Sequence, residues 1–187
     1  MGKILVAITG ASGSLYAIKL LQLWQDHEVE VHGIISDAGR QVLKWEAGLQ
    51  ADELSGVHTW HSVHNLAAAP ASGSASFEAM VIIPCTMGSL GAIANGLSIN
   101  LIHRAADVML KEGRPLVLAV RETPFNRTHL QNMLRVQEAG ATIFPCMPAF
   151  YNRPQDIGEM ARNFSARISE FLHFSQPEMP RWHGEEE

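Results

Sequence analysis

The sequence predicts an α/β protein, a three-layer parallel sheet with helices on both faces, as one domain over residues 1–187. Three observations predict it. Apolar runs bounded by turn residues recur along the chain and read as strands buried on both sides. Segments with apolar residues at helical spacing fill the gaps, and that alternation marks βαβ units. The 187 residues are 47% hydrophobic, enough to bury a core, and their number suits a single domain.

In order, residues 3–9 (KILVAIT) form the first run, with turn residues behind it. A helix follows from about Ser14, its stripe made of Leu15, Ile18, Leu20, Leu21 and Leu23. Residues 29–35 (VEVHGII) read as the second strand and 38–48 as the second helix. The third, fourth and fifth strands are expected at 80–84 (MVIIP), 115–120 (PLVLAV) and 141–145 (ATIFP). Helical patterns occupy about 88–95, 102–111, 127–138 and 155–173. Residues 65–77 (NLAAAPASGSASF) interrupt the alternation without marking a domain boundary, and read as a functional loop entering the third strand. The tail over 176–187 is expected to be partly flexible, although it holds Arg181-Trp182. There is no internal repeat.

Composition excludes several classes. Charged residues make up only 18% of the chain, against roughly a quarter in typical domains, so a disordered chain or solvated rod is ruled out. The net charge of −5 leaves no basic excess for nucleic acid or an anionic membrane. Sparse surface charge points to a homo-oligomer, with part of the surface covered by copies of the chain. Cys85 and Cys146 give neither a disulfide framework nor zinc spacing, so a reduced, cytoplasmic setting is expected. No apolar stretch approaches the ~20 residues of a membrane span. The run Ile4–Ile8 is too short for a secretory core and is broken by Thr9-Gly10, and no Ser or Thr follows Gly2 at the myristoylation spacing.

Four constellations carry chemistry. Thr9-Gly10-Ala11-Ser12-Gly13 joins the first strand to its helix, where a parallel sheet binds ligands and helix N–H groups meet phosphates. Ser12 stands where a dinucleotide motif has its second glycine, and no G-K-[ST] follows, so a mononucleotide is favoured over NAD or ATP. The plain alternative is a helix N-cap by Ser12. Cys85-Thr86-Met87-Gly88-Ser89 after the third strand and Ser36 after the second repeat the arrangement, and three strand ends on one rim make a site. Arg104 and Lys111 lie seven apart, two helical turns, and Arg121-Glu122 follows the fourth strand on the ligand rim; the alternative is solvated ion pairs. The loop Pro148–Pro154 supplies Tyr151 and Arg153, and Arg167 lies on the last helix; guanidinium, ammonium and phenol are what a phosphate ester needs. His58, His61 and His64 are evenly spaced but lack a fourth ligand, so no metal is expected. The eight methionines read as core filler.

Together these motifs resemble the flavin prenyltransferases of the UbiX/Pad1-like family over nearly the whole chain. The likeness is carried by TGASG at 9–13, Ser36, Glu46, ASGS at 71–74, PCTMGSL at 84–90, HRAADVMLKEGRPLVLAVRETPF at 103–125, PAFYNRPQ at 148–155 and Pro180-Arg181-Trp182. The resemblance implies a Rossmann-type, flavodoxin-like fold assembled as a dodecamer. It implies FMN, in reduced form, as the acceptor of a dimethylallyl group from dimethylallyl monophosphate at N5 and C6. The product, prenylated FMN, would serve a UbiD-type decarboxylase, and no metal is required. By position Gly10, Ala11, Ser12, Ser36, Thr86, Met87, Gly88, Ser89 and Arg121 match flavin contacts. Arg104, Lys111, Arg121, Tyr151 and Arg167 match prenyl-phosphate contacts, with Trp182 as a nearby aromatic. Ser12, Glu46 and Glu122 match the acid–base group. The chain departs from the family at Asp37, where lysine is frequent, at Met87-Gly88, where members vary, and at Ala67-Ala68-Ala69, where an aromatic is missing. Two other readings stay open: an FMN-dependent cysteinyl decarboxylase of similar fold, and a non-catalytic FMN-carrying accessory subunit of an aromatic-acid decarboxylase.

Overall fold

The computed structural model describes residues 2–25, 27 and 29–176. Six strands form one parallel sheet: β1 (Gly2–Ile8), β2 (Val29–Ile35), β3 (Thr59–Ser62), β4 (Phe77–Cys85), β5 (Leu116–Val120) and β6 (Thr142–Ile143). Their order across the sheet is β3-β2-β1-β4-β5-β6. The chain builds outward from β1 through β2 to β3, then crosses back to place β4 on the other side of β1. That reversal opens a crevice at the strand ends between β1 and β4, where ligands bind in open α/β sheets.

Alternation along the strands sorts the core into two layers. Ile4, Val6 and Ile8 of β1 face one side, where α1 (Ser14–Trp24) and α6 (Ile157–Phe171) pack, joined by Leu43 of α2 (Asp37–Ala47). Leu5 and Ala7 face the other, under α3 (Met87–Ala94), α4 (Leu101–Lys111) and α5 (Arg127–Glu138). Trp24 is fully buried, and its indole N–H finds the Ser169 hydroxyl at 2.9 Å, so a polar edge is satisfied inside the first layer. The three-layer expectation therefore holds.

One element goes beyond the expected set. β3 is not among the expected strands, because Thr-Trp-His-Ser has no apolar run. It is an edge strand of four residues with only one neighbour, and needs no such run. The 65–77 segment leads into β4, the third expected strand, and forms two short 3₁₀ turns, Ala69–Ala71 and Gly73–Ala75, the first of them beside α4. Arg104 Nε donates to the Ala71 carbonyl at 3.1 Å and Arg114 Nη2 to the Gly73 carbonyl at 2.9 Å. Pro84 sits inside the central strand β4, where a missing N–H would break a ladder. There the β4–β5 register shifts, between Ile82 and Cys85, and the Pro84 carbonyl turns to Thr9 instead.

Candidate active site

The loops after β1, β2, β4 and β5 meet on one rim, and side-chain bonds lock them together. Thr9 Oγ1 donates to the Pro84 carbonyl at 2.6 Å and accepts the Thr86 N–H at 2.9 Å, tying the first loop to the β4 loop. The Arg121 N–H donates to the Cys85 carbonyl at 3.1 Å and brings in β5. Gly10 lets the first two loops touch: a Cβ there would lie 2.5 Å from Ala38 Cβ. Ser36 caps α2, accepting the Gly39 N–H at 3.0 Å, and Thr86 caps α3, accepting the Ser89 N–H at 3.1 Å. Ala11 is buried behind the loop, Ser12 is exposed, and Met87 packs against the core. Beside Gly88 nothing lies within 3.9 Å of where a Cβ would be, so the backbone at the start of α3 is open to a ligand.

The last turn of α2 comes over the first turn of α1. The Glu46 carboxylate accepts the Ser14 N–H at 2.8 Å and the Gly13 N–H at 3.0 and 3.1 Å. Gly13 permits this with φ of 113°, and the ring of Tyr16 covers it. Burial alone would raise the Glu46 carboxyl. The Ser12 hydroxyl and the Ser14 and Gly13 amides outweigh it and hold the carboxyl below its usual range. Ser12 and Glu46 thus form one hydrogen-bonded pair on a helix N-terminus that favours negative charge.

Two adjoining cavities share Pro145 and Met147. One, about 400 Å³, is lined by Arg121, Glu122 and Cys146. The other, about 440 Å³, is lined by Tyr151 and Arg167 between the aromatic walls Phe144 and Phe164. Glu122 accepts the Thr123 N–H at 2.9 Å. Arg167 lies 3.4 Å from Glu170. Sequence reasoning missed Tyr16, whose ring packs on Phe164 at 4.7 Å. Burial, then the Cys146 thiol, raise its phenol, with Arg121 opposing. Burial pushes the Cys85 and Cys146 thiols up to about 12, so both stay protonated and neither is a thiolate nucleophile at neutral pH.

Arg104 and Lys111 are not brought to this rim. Arg104 pairs with Asp107 at 2.7 Å, while Lys111 ends α4 against Glu112, where β5 is about to begin at the opposite end of the sheet. Neither lines either cavity. Seven residues along a helix is a rise of ~10 Å, so α4 carries Lys111 away from the strand ends. Trp182 lies outside the described residues. The three evenly spaced histidines diverge: His58 Nδ1 accepts the Val31 N–H, His61 bonds His32 at 2.8 Å, and His64 pairs with Asp37 at 3.2 Å.

A sheet of this order, with capped helix N-termini opening on one rim, defines a nucleotide-binding α/β protein, and the Flavoprotein family model matches residues 1–173. The chain is 42% identical over 183 residues to a probable UbiX-like flavin prenyltransferase of Bacillus subtilis, covering 97% of this chain and 90% of that one. Among solved structures it resembles AnUbiX (PadA1) in complex with FMN and dimethylallyl pyrophosphate, with 38% identity, 99% of each chain covered and a TM-score of 0.96. It also resembles a dodecameric FMN-dependent UbiX-like decarboxylase from Escherichia coli O157:H7, with 36% identity, 97% and 100% covered and a TM-score of 0.94. The chain belongs to the UbiX/Pad1-like flavin prenyltransferase family.

Proposed function

We propose that this protein transfers a dimethylallyl group from dimethylallyl monophosphate to reduced FMN, giving prenylated FMN for a UbiD-type decarboxylase. The observation that carries the reading is the pair of cavities: Arg121, Tyr151 and Arg167, side chains suited to a phosphate, stand beside a rim of capped helix starts. The residues suit FMN. Ser36, Thr86 and Ser89 offer hydroxyls, and the open backbone at Gly88 leaves room for a phosphate on free N–H groups. When bound, reduced FMN supplies N5 to take the allylic C1 and C6 to close a ring on C3.

The chain's own residues do the rest. The C1–O bond of the ester breaks and its electron pair leaves with the phosphate. Arg167 and Tyr151, with Arg121 from the adjoining cavity, neutralise the charge that develops there. Phe144 and Phe164 give the allyl group an apolar wall and keep water from it. With FMN bound, closing the ring at C3 would break the C2=C3 double bond, so C2 would take up a proton and C6 would give one up. The Ser12 hydroxyl would relay the C6 proton to the carboxylate of Glu46, and Glu122 would be the second acid–base group, supplying the proton to C2.

The site is completed in a homo-oligomer. Arg104 and Lys111 line neither cavity of their own chain, and in this reading they serve the cavity of another copy. The dodecamer of the Escherichia coli relative supports this. The protein acts without a metal and in the cytoplasm. Incubating it anaerobically with reduced FMN and dimethylallyl monophosphate, then with the diphosphate, tests the reading. Mass spectrometry is expected to show flavin plus one C5 unit with the monophosphate. Absence of any adduct with both donors overturns the proposal, and carbon dioxide release from a cysteinyl peptide would put a decarboxylase in its place.

A further inference from the structure

The cavity of Tyr151 and Arg167 holds an unsettled polar account. Asn163 on α6 lines it and is only 7% exposed, yet its Nδ2 has no hydrogen-bond partner among the described residues. Asn152, from the loop that carries Tyr151, lines the same cavity with its Oδ1 also buried and unpartnered. Buried polar atoms are nearly always paired, so two orphans in one cavity mark a place where the partner arrives from outside. The nearest walls do not supply it: Phe144 and Phe164 are apolar, the Ser165 hydroxyl is turned to the Tyr16 carbonyl at 2.8 Å, and Asn152 Oδ1, an acceptor in the same cavity, is not bonded to Asn163.

We infer that Asn163 is a donor-binding residue: its carboxamide N–H takes a phosphate oxygen of the allylic ester beside Arg167. Asn152 supports it from the loop, since a carboxamide turned by half a rotation presents N–H in place of oxygen. Arg167, four residues on, lies one helical turn away on the same face of α6, so both reach one phosphate. The inference rests on the proposed reaction for the identity of the ester. The orphaned donor itself needs only a phosphate.

Asn163→Leu removes the unpaired group at similar size, and Asn163→Asp sets a carboxylate against the phosphate. Three quantities are read for each: the unliganded melting temperature, flavin affinity by fluorescence, and KM against kcat for dimethylallyl monophosphate. For Asn163→Leu the free protein is expected to melt at or above wild type, while KM rises about tenfold and flavin affinity holds. Asn163→Asp is expected to raise KM further. A merely structural asparagine gives the opposite pattern, a lower melting temperature with KM unchanged, and that result overturns the inference. If Asn163→Leu fails to fold, Asn163→Asp decides alone: unchanged KM overturns the inference and raised KM supports it. If wild type makes no adduct, the proposed reaction fails by itself. Calorimetric titration with inorganic phosphate then decides on Asn163, as binding lost in both variants supports it and binding retained overturns it.

Discussion

Glu46 is the side chain on which most rests. Its carboxylate is bound by two amides and the Ser12 hydroxyl, so Glu46→Gln keeps the shape but removes the carboxylate proposed to accept the proton. Adduct formation is expected to fall by at least ~100-fold while FMN still binds, measured by mass spectrometry and flavin fluorescence. The same carboxyl has a pH signature. Its folded value is lowered, so the stability it contributes is fully present above its unfolded value and is lost as pH falls through the lower, folded one. Denaturant midpoints of wild type should therefore drop more steeply below about pH 4 than those of Glu46→Gln. Gly10→Ala would set a Cβ 2.5 Å from Ala38 Cβ, and a loss of about 1–3 kcal/mol in urea unfolding, with weaker FMN binding, is expected. The capping hydroxyls Ser36 and Thr86 were legible in the sequence, because a hydroxyl between an apolar run and a helical pattern has a local job. The docking of Glu46 was not legible from spacing, since it lies 33 residues from Gly13 and only the family likeness singled it out. Asn163 was hidden too, for one asparagine in an amphipathic helix gives no sign of which side it faces.

Among the elements, the strands that the sequence reveals are those buried on both faces. β2 matches its expected bounds residue for residue, and β1 and β5 lie within one residue of theirs. The shortest strands are less visible. Pro145 interrupts the fifth run after Thr142–Ile143, although Phe144 and Cys146 still donate to the carbonyls of Leu118 and Val120. β3 is held by chemistry that no hydropathy pattern shows. His61 stacks on His32, whose other ring nitrogen bonds Glu30 at 2.7 Å, with Lys3 4.0 Å from that carboxylate and His58 on the Val31 amide. Burial, then the charge of His32, lower the His61 imidazole. Its unfolded form therefore binds protons first on acidification, and the stability it gives is present above the ordinary histidine range and lost as pH falls through it. Hydrogen exchange of the β3 amides should accelerate between pH 7 and pH 5, and His61→Gln should blunt that change. Exchange that is flat over this interval would show that the imidazole pair does not hold the strand.

At the scale of the molecule, the residues proposed to bind phosphate are split between two ends. Arg121, Tyr151 and Arg167 open on the rim, while Lys111 lies where β5 begins. Spacing joined Lys111 only to Arg104, on one face of α4, and does not record which way that helix runs; the family likeness alone joined it to Arg121, Tyr151 and Arg167. Subunit mixing tests the consequence. Lys111→Ala and Arg167→Ala are each expected to lose at least ~10-fold in activity. Coexpressed, they should recover activity in about a quarter of sites, where each variant supplies the intact residue that the other lacks. No recovery in mixed oligomers would place both residues in one subunit's site. The sheet itself bears on how such copies meet. Its borders are β3, four residues long, and β6, two. Borders that short present almost no unpaired ladder for a foreign strand to extend. Copies of the chain that associate would therefore meet through helices and loops and not by lengthening the sheet.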